Sequence, residues 1–281
     1  MDYPANFIKD NLQIQTNLIS SSYEYKVKKL VLFGSSCIYP KDLKKPIKEN
    51  QMLTGTLEKT NESYSVAKIA GIQMIRAFNQ QYKTRYICLM PCNLFGPNDS
   101  YDLQNSHFLP ALIKKIFNAS RKKNKVVKLW GTGKPLREVL YVDEVADASH
   151  FLPALIKKIF KASQKKKKKI VKLWGTGKPL REVLYVDEVA EACEYFLKKR
   201  TTSSLINIGS SIEMSIKDYA IKIKNKIDPA VLIKFDNNKK LDGVKRKKLN
   251  ISLATRYGWK AKIDFSKALD KTIEDFKNSQ R

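Results

Sequence analysis

Apolar positions along this chain switch repeatedly between helical spacing and short continuous runs. Residues 5–24 and 63–82 place apolar side chains at helical intervals, whereas residues 29–33 and 85–90 are short apolar runs ending at glycine or proline. Short apolar runs joined by amphipathic helices are typical of an α/β fold with a buried parallel sheet. The same pattern predicts further elements: strands at 204–210 and 230–235, a helix capped by Ser215, and a final helix over 266–277.

One stretch of the chain is present twice in tandem. Residues 106–148 and 149–192 are nearly identical, and the second copy has one extra residue in its lysine run. Solenoid repeats share a pattern rather than whole strings, and they need more than two copies for stability. We therefore interpret the pair as a recent tandem duplication, or an assembly error, inside one domain. Two working sites are the less favoured alternative.

Composition indicates a globular protein with a large positive charge. Apolar residues make up 43% of the 281, no apolar run approaches the ~18 residues of a membrane helix, and the start lacks a signal-peptide pattern. Lys and Arg outnumber Asp and Glu by 54 to 27. Most of this excess is lysine spread along the chain without interleaved aromatic residues, so we expect a solvated bias and no nucleic-acid partner. Four cysteines without a CxxC pair indicate a reducing, cytoplasmic setting and no metal site.

Candidate chemistry lies after the strand at 29–33 and on the helix at 63–82. Tyr64 and Lys68 are four residues apart and share a helix face, so we expect the ammonium to lower the pKa of the phenol. Ser35 or Ser36, at the carboxyl end of the preceding strand, could hydrogen-bond a substrate carbonyl. Together these groups can protonate an alkoxide formed by hydride delivery. A half-buried tyrosine beside a surface lysine is the alternative for this pair taken alone.

Several longer strings of residues are specific enough to indicate a protein family. The chain resembles the extended short-chain dehydrogenase/reductase superfamily, in its NAD-dependent epimerase/dehydratase branch, and within it the GDP-L-fucose synthase family. The matching strings cover nearly the whole chain in family order: YPANFIKDN, FGSSCIYP, LTGTLEKTNESYSVAKIAGI, MPCNLFGPND, NSHFLPALI, LWGTGKPLREVLYVDE and DGVKRKKL.

The resemblance implies a fold and a reaction. The fold is a doubly wound, Rossmann-type parallel sheet with a smaller C-terminal substrate-binding domain. We expect the rest of the dinucleotide domain at 1–105, the duplicated segment shared between domains at 106–192, and the substrate domain at 193–281. The implied reaction is 3,5-epimerisation and NADPH-dependent 4-reduction of GDP-4-keto-6-deoxy-D-mannose to GDP-L-fucose, in a homodimer.

The resemblance also implies roles for residues at matching positions. Tyr64 is implied as the catalytic acid/base with Lys68 as its partner, and Ser35 as the group that polarises the 4-keto oxygen. Cys37 and His107 are implied as the acid/base pair of the epimerisations. Cys37 could instead be a small buried side chain, and His107 a structural histidine.

Other positions match ligand contacts of the family. Those matching the NADP(H) site are Phe33, Gly34, Ser35, Ser36, Lys68, Pro91, Cys92, Asn93, Leu94 and His107. Those matching the substrate site are Lys115, Trp130, Arg137 and Lys247, and the second copy adds His150, Lys158, Trp174 and Arg181. The sequence leaves open whether Arg137 or Arg181 enters the site.

Two departures from the family pattern stand out. The glycine-rich GxxGxxG turn, which lets a dinucleotide pyrophosphate approach a helix N-terminus, is absent from the sequence, and with it the first two βα units are expected to be missing. Lys115 replaces a family arginine and loses its bidentate fork. These departures leave two alternatives to the enzyme: a non-catalytic truncated remnant, and a basic polyanion-binding protein.

Overall fold

The computed structural model describes residues 4–96, 151–164, 170–173, 176–235 and 246–278. The elements of these residues, numbered in chain order, are α1 (Pro4–Glu24), β1 (Val31–Phe33), α2 (Glu62–Tyr82), β2 (Ile87–Pro91), β3 (Asn93–Phe95), α3 (Phe151–Ser163), β4 (Ile170–Leu173), β5 (Leu180–Tyr185), α4 (Val186–Lys198), β6 (Leu205–Ile208), β7 (Glu213–Ser215), α5 (Ile216–Ile227), β8 (Leu232–Phe235), β9 (Arg246–Lys247), α6 (Ser252–Arg256) and α7 (Phe265–Asn278). The helices and strands predicted from the apolar pattern within these ranges are confirmed, with ends shifted by at most two residues.

Local signals explain where individual elements begin and end. The hydroxyl of Ser215 accepts a hydrogen bond from the backbone N–H of Asp218, whose carboxylate accepts one from the N–H of Ser215, so the predicted cap of α5 is confirmed as a capping box. Helix α2 ends at Lys83 in the left-handed conformation, with φ of 55°. Strand β2 continues through Pro91, one residue further than expected, where Pro91 pairs in register with Ile208.

A three-stranded parallel sheet in the order β1-β2-β6 forms the centre of the first core. Leu89 lies between Phe33 and Ile206 in register, and all of β2 except Pro91 is buried. Helices α1 and α2 pack against each other beside this sheet. The apolar strands predicted a parallel sheet, and this part of the fold confirms it.

A second sheet is built around β5. Strand β5 pairs in parallel with β3 and β9 and antiparallel with β7. Alternate residues of β5 face different cores: Leu184 belongs to the first, whereas Val183 and Tyr185 belong to the second, which also contains α3, α5, α7 and the β4–β8 pair. Strand β5 therefore lies at the boundary between the two cores.

The second copy of the repeat supplies α3, β4, β5 and the first part of α4. Its residues Leu152, Leu155, Ile156 and Ile159 are buried in the second core. Copy one, residues 106–148, lies outside the described residues. Strand β6, from the segment predicted as the C-terminal domain, belongs to the first sheet, and the domain boundaries expected at 105 and 192 stay predictions.

No helix within the described ranges is both long enough and apolar enough to span a bilayer.

Candidate active site

The segment after β1 brings two predicted site residues into contact. Ser35 precedes a single 3-10 turn, Ser36–Ile38, and its hydroxyl accepts a hydrogen bond from the backbone N–H of Cys37 at 3.5 Å. The thiol of Cys37 donates to the same hydroxyl oxygen at 3.1 Å. Ser35, Ser36 and Cys37 are all buried. The tight turn therefore places a hydroxyl and a thiol side by side at the carboxyl end of β1.

A buried polar contact anchors this turn to the sheet. Tyr39 donates its hydroxyl hydrogen to the side-chain oxygen of Asn207 on β6 at 2.7 Å, and burial raises the pKa of Tyr39 above its ordinary value. The amide of Asn207 in turn donates to the carbonyl of Ile47 at 2.9 Å. Because Asn207 is fully buried, these bonds tie the segment carrying Ser35 to the neighbouring strand.

Helix α2 brings Tyr64 and Lys68 to the same end of the sheet. The ammonium of Lys68 lies 3.4 Å from the carbonyl oxygen of Phe33, the last residue of β1, and donates a hydrogen bond to it. The same nitrogen lies 5.5 Å from the centre of the Tyr64 ring. Lys68 therefore bridges the helix and the carboxyl end of the strand, with Tyr64 one helical turn earlier on the same face.

The charge of Lys68 is set by its surroundings. Burial lowers the pKa of Lys68, and the thiols of Cys88 and Cys37 raise it to a smaller extent. Cys88 is fully buried on β2, where burial raises the pKa of its thiol to about 12. Burial therefore makes the Lys68 ammonium beside Tyr64 easier to deprotonate than an exposed lysine.

The segment from the end of β2 into β3 contributes a polar group to the same region. Asn93 begins β3, is 3% exposed, and neither its side-chain oxygen nor its nitrogen has a hydrogen-bond partner among the described residues. Pro91 and Leu94 are half-buried, and Cys92 is buried with its thiol directed to the carbonyl of Asn93. A buried amide without a partner is costly, so Asn93 is suited to bind a ligand.

Two predicted substrate cations are neighbours across the second sheet. Arg181 of β5 is paired in parallel register with Lys247 of β9, so their side chains share one face of the sheet. Arg181 is largely buried and Lys247 half-buried. Lys158, on α3, has its pKa lowered to about 8 by burial.

The remaining predicted positions lie outside the described residues. They are His107, Lys115, Trp130, Arg137, His150 and Trp174. Of the two candidate arginines, the one that the structure describes, Arg181, pairs with Lys247.

Sequence reasoning missed two groups in this region. Cys88 lies beneath the turn at Gly34, where its sulfur would be 3.1 Å from a Cβ added to that glycine. Glu182 is fully buried on β5 beside Arg181. A charged residue inside the apolar run LREVLY could have indicated Glu182. Cys88 left no such signal, because a buried cysteine in a strand is ordinary.

Comparisons with known proteins match this geometry to a family. The family model described as "NAD dependent epimerase/dehydratase family" matches residues 1–153 and 147–209, two stretches that overlap at the junction of the repeat copies. A putative GDP-L-fucose synthase 2 from Arabidopsis thaliana is 38% identical over 272 residues, which are 97% of this chain and 69% of the relative. The GDP-L-fucose synthase of Escherichia coli K12 is 34% identical over 279 residues, 99% of this chain and 75% of the relative.

The chain belongs to the GDP-L-fucose synthase branch of the NAD dependent epimerase/dehydratase family. The resemblance found in the sequence is thereby confirmed. Among solved structures, a GDP-mannoheptose C4 reductase from Campylobacter jejuni with NADP bound is similar to this chain, with a TM-score of 0.72 and 28% identity, covering 98% of this chain and 76% of the other. The α/β, Rossmann-like fold expected for this GDP-L-fucose synthase relative is confirmed as well.

Proposed function

We propose that the chain forms GDP-L-fucose from GDP-4-keto-6-deoxy-D-mannose by epimerisation at C3 and C5 and NADPH-dependent reduction at C4. The observation that carries the proposal is the convergence of Ser35, Cys37, Tyr64 and Lys68 at the carboxyl end of β1. In an open α/β sheet this is the edge where ligands bind. The family membership supports the substrate class, a GDP-sugar.

For the reduction, bound NADPH would supply a hydride to C4 of the sugar. The hydroxyl of Ser35 donates a hydrogen bond to the C4 oxygen and polarises the carbonyl. The phenol of Tyr64 gives its proton to that oxygen as the C4–H bond forms, which leaves the alcohol and a phenolate. The ammonium of Lys68, held between the strand end and the Tyr64 ring, stabilises the phenolate.

For the epimerisations, the chemistry rests on the C4 ketone. A carbonyl at C4 acidifies the protons on C3 and C5, so a base on one face and an acid on the other can invert each centre. Cys37 touches Ser35, the group proposed to hold that ketone, and is therefore within reach of the adjacent carbons. His107 is proposed as its partner, and it lies outside the described residues.

The nicotinamide end of NADP(H) has suitable partners in this chain. Lys68 is proposed to contact the ribose. The side-chain amide of Asn93, which has no hydrogen-bond partner among the described residues, is suited to a polar group of the nicotinamide or of the sugar. The positions proposed to line the cofactor from the two strand ends are Phe33, Gly34, Ser35, Ser36, Pro91, Cys92 and Leu94. The pyrophosphate has no GxxGxxG turn in the sequence to receive it.

The diphosphate of the GDP-sugar is proposed to bind beside Arg181 and Lys247. Two adjacent cations on one sheet face offer charge-assisted hydrogen bonds, and the planar fork of Arg181 suits a phosphate. Lys158 is proposed as a further contact from α3. Lys115, Trp130, Arg137 and Trp174 stay proposals from the resemblance.

We also propose that the chain forms a homodimer through the outer face of α1. Phe7, Ile14 and Leu18 are exposed on this helix, and Ile14 keeps 64% of its surface accessible. Their spacing of seven and four residues places them in one stripe, which two copies related by a two-fold axis can bury against each other. Free cysteines at 37, 88, 92 and 193 support the proposal of a reducing, cytoplasmic setting.

An assay that separates the two chemistries tests this function. The purified chain is incubated with GDP-4-keto-6-deoxy-D-mannose in deuterated buffer, first without and then with NADPH. We expect deuterium at C3 and C5 in the first case, and GDP-L-fucose with stoichiometric NADPH oxidation in the second. If neither deuterium exchange nor NADPH oxidation is observed, the result favours the non-catalytic remnant.

A further inference from the structure

The carboxylate of Glu182 is buried where three segments of the chain meet. It is 0% exposed, and both oxygens accept hydrogen bonds from backbone N–H groups. One oxygen accepts from Ser211 at 2.7 Å, in the turn after β6, and the other from Leu249 at 3.0 Å, two residues beyond β9. Glu182 itself belongs to β5, so one side chain joins three separate pieces of backbone.

The surroundings fit this carboxylate closely. A Cβ added at Gly209 would lie 2.6 Å from one of its oxygens, so only glycine leaves room for it at this turn. The ammonium of Lys248 donates to the carbonyl of Ser211 at 2.9 Å, beside the carboxylate. Strand β9 is only two residues long, and its Arg246 also forms an ion pair with Glu213 of β7 at 2.8 Å.

The two substrate cations are located on the backbone that Glu182 joins. Arg181 precedes Glu182 in β5, and Lys247 is two residues before Leu249. Successive residues of a strand face opposite sides, so Glu182 fixes β5 from one face while Arg181 extends from the other. The register of Arg181 with Lys247 depends on β9 staying against β5, and the bond from Leu249 to the Glu182 carboxylate contributes to holding it there.

We infer that Glu182 is a positioning residue that holds Arg181 and Lys247 side by side to bind the diphosphate of the GDP-sugar. This inference rests on the proposed function, which assigns the diphosphate to these two cations. Glu182 does not touch the ligand in this arrangement. It acts through the backbone of β5 and β9.

Charge and hydrogen bonding make opposite predictions for the isosteric variant Glu182→Gln. If Glu182 acted only through its charge, removing a carboxylate near two cations would strengthen binding of an anion. If it positions the strands, a glutamine leaves one backbone N–H facing an NH₂ group, so β9 shifts and binding weakens. The sign of the change therefore distinguishes the two roles.

The experiment is a calorimetric titration of the full chain with GDP-L-fucose. We expect Kd to rise roughly tenfold or more in Glu182→Gln, since small displacements of binding groups have effects of this size. The matched control is Glu188→Gln. Glu188, on α4, is another buried carboxylate, and one of its oxygens accepts hydrogen bonds from the backbone N–H groups of Lys262 and Ile263. Its variant should bind GDP-L-fucose as the parent does.

The pH dependence of the Kd for GDP-L-fucose gives a second readout, which a mere loss of stability would not produce. Burial raises the pKa of Glu182 to about 7. The charge of Lys248 lowers this pKa and that of Glu213 raises it. The hydroxyl of Tyr219 also lies close to the carboxylate. Protonation removes an acceptor, so the affinity of the parent should fall as the pH drops through about 7. Glu182→Gln should lack this step. GDP-L-fucose suits the assay because its diphosphate is esterified at both ends and does not titrate near neutral pH.

A second variant and a second measurement decide the inference where Glu182→Gln or the titration with GDP-L-fucose does not. Gly209→Ala keeps the carboxylate but pushes it aside, and it should weaken binding as Glu182→Gln does. Unchanged or tighter binding in both variants, with weaker binding in Arg181→Ala and Lys247→Ala, overturns the inference and leaves the proposed function intact. If the parent itself does not bind GDP-L-fucose, the proposed function fails. The inference is then decided by amide hydrogen exchange at 246–250, which must accelerate in folded Glu182→Gln and stay slow in Glu188→Gln.

Discussion

The thiol of Cys37 and the hydroxyl of Ser35 lie 3.1 Å apart and form a hydrogen bond. The first residue is proposed for proton transfer at carbon and the second for polarising the ketone. A single tight turn therefore presents both functions to one ligand, and a substrate need not move between two sites for epimerisation and reduction.

Replacing Cys37 by serine should separate the two reactions. A hydroxyl is far less acidic than a thiol, so deuterium incorporation at C3 and C5 should slow by about 10²-fold or more, in the range of general acid–base effects. Reduction of an already epimerised keto-sugar should change much less. Mass spectrometry of the sugar in deuterated buffer measures the first step, and NADPH absorbance the second. Cys193→Ser, a half-buried position on α4, is the control; equal losses in both assays for Cys37→Ser would show a structural role.

Replacing Tyr64 by phenylalanine should abolish hydride transfer. The ring near Lys68 is kept, but the proton that the C4 oxygen needs is lost. We expect NADPH oxidation to fall by about 10²–10⁴-fold while the circular-dichroism spectrum and the unfolding midpoint stay close to those of the parent. Tyr82→Phe, on the same helix, preserves its ring stacking with Tyr23 and should retain full activity. Near-normal oxidation by Tyr64→Phe would remove Tyr64 from the mechanism.

Stability should fall as the pH rises towards 7. Burial raises the pKa of Glu182 from 4.5 to about 7, so the folded chain holds this proton more tightly than the unfolded chain does. The unfolded state loses the proton first, and between about pH 4.5 and 7 the free energy of unfolding contributed by this group falls by about 3 kcal/mol. Burial also raises the pKa of Glu49, so the contribution of Glu49 to the free energy of unfolding falls with rising pH as well.

Urea unfolding at a series of pH values measures this slope. Glu182→Gln should flatten it, and Glu24→Gln, at an exposed position at the end of α1, should leave it unchanged. A slope of parental size in Glu182→Gln would mean that the carboxylate is not the titrating group.

The 281-residue chain should bind NADPH weakly and in a salt-dependent way. A dinucleotide pyrophosphate needs close backbone approach and helix N-terminal amides, and lysines cannot replace a glycine-rich turn in this respect. The net charge of +27 should nevertheless attract the anion, so residual affinity should fall steeply between low and physiological salt. Calorimetry at both salt concentrations tests this; tight, stoichiometric and salt-resistant binding would contradict it.

The second repeat copy should be sensitive to mutation where it enters the core. Leu155, in the second copy, is buried in the second core, and its replacement by alanine should cost about 2–5 kcal/mol of unfolding free energy. Leu197, on α4, is 43% exposed and provides the control. Because Leu197 loses much less buried surface, Leu197→Ala should cost far less. Equal costs of the two replacements in chemical unfolding would contradict the burial of Leu155.

The sequence by itself determined the elements and the chemistry that is local along the chain. The helix at 63–82, the strand before Gly34 and the cap at Ser215 follow from apolar spacing and from hydrogen bonds within a few residues. The Tyr64–Lys68 pair is equally local, because residues four apart share a helix face. The longer strings, including FGSSCIYP and MPCNLFGPND, were enough to indicate the family.

Only the tertiary structure decided which distant groups meet. The pairing of Arg181 with Lys247 joins positions 66 residues apart along the chain, and no periodicity within either segment encodes that register. The burial of Glu182 between the turn at Ser211 and Leu249 likewise depends on three segments converging. The second repeat copy is joined to the fold by the pairing of its strand β5 with β3, β7 and β9, and local patterns within the copy do not specify these partners.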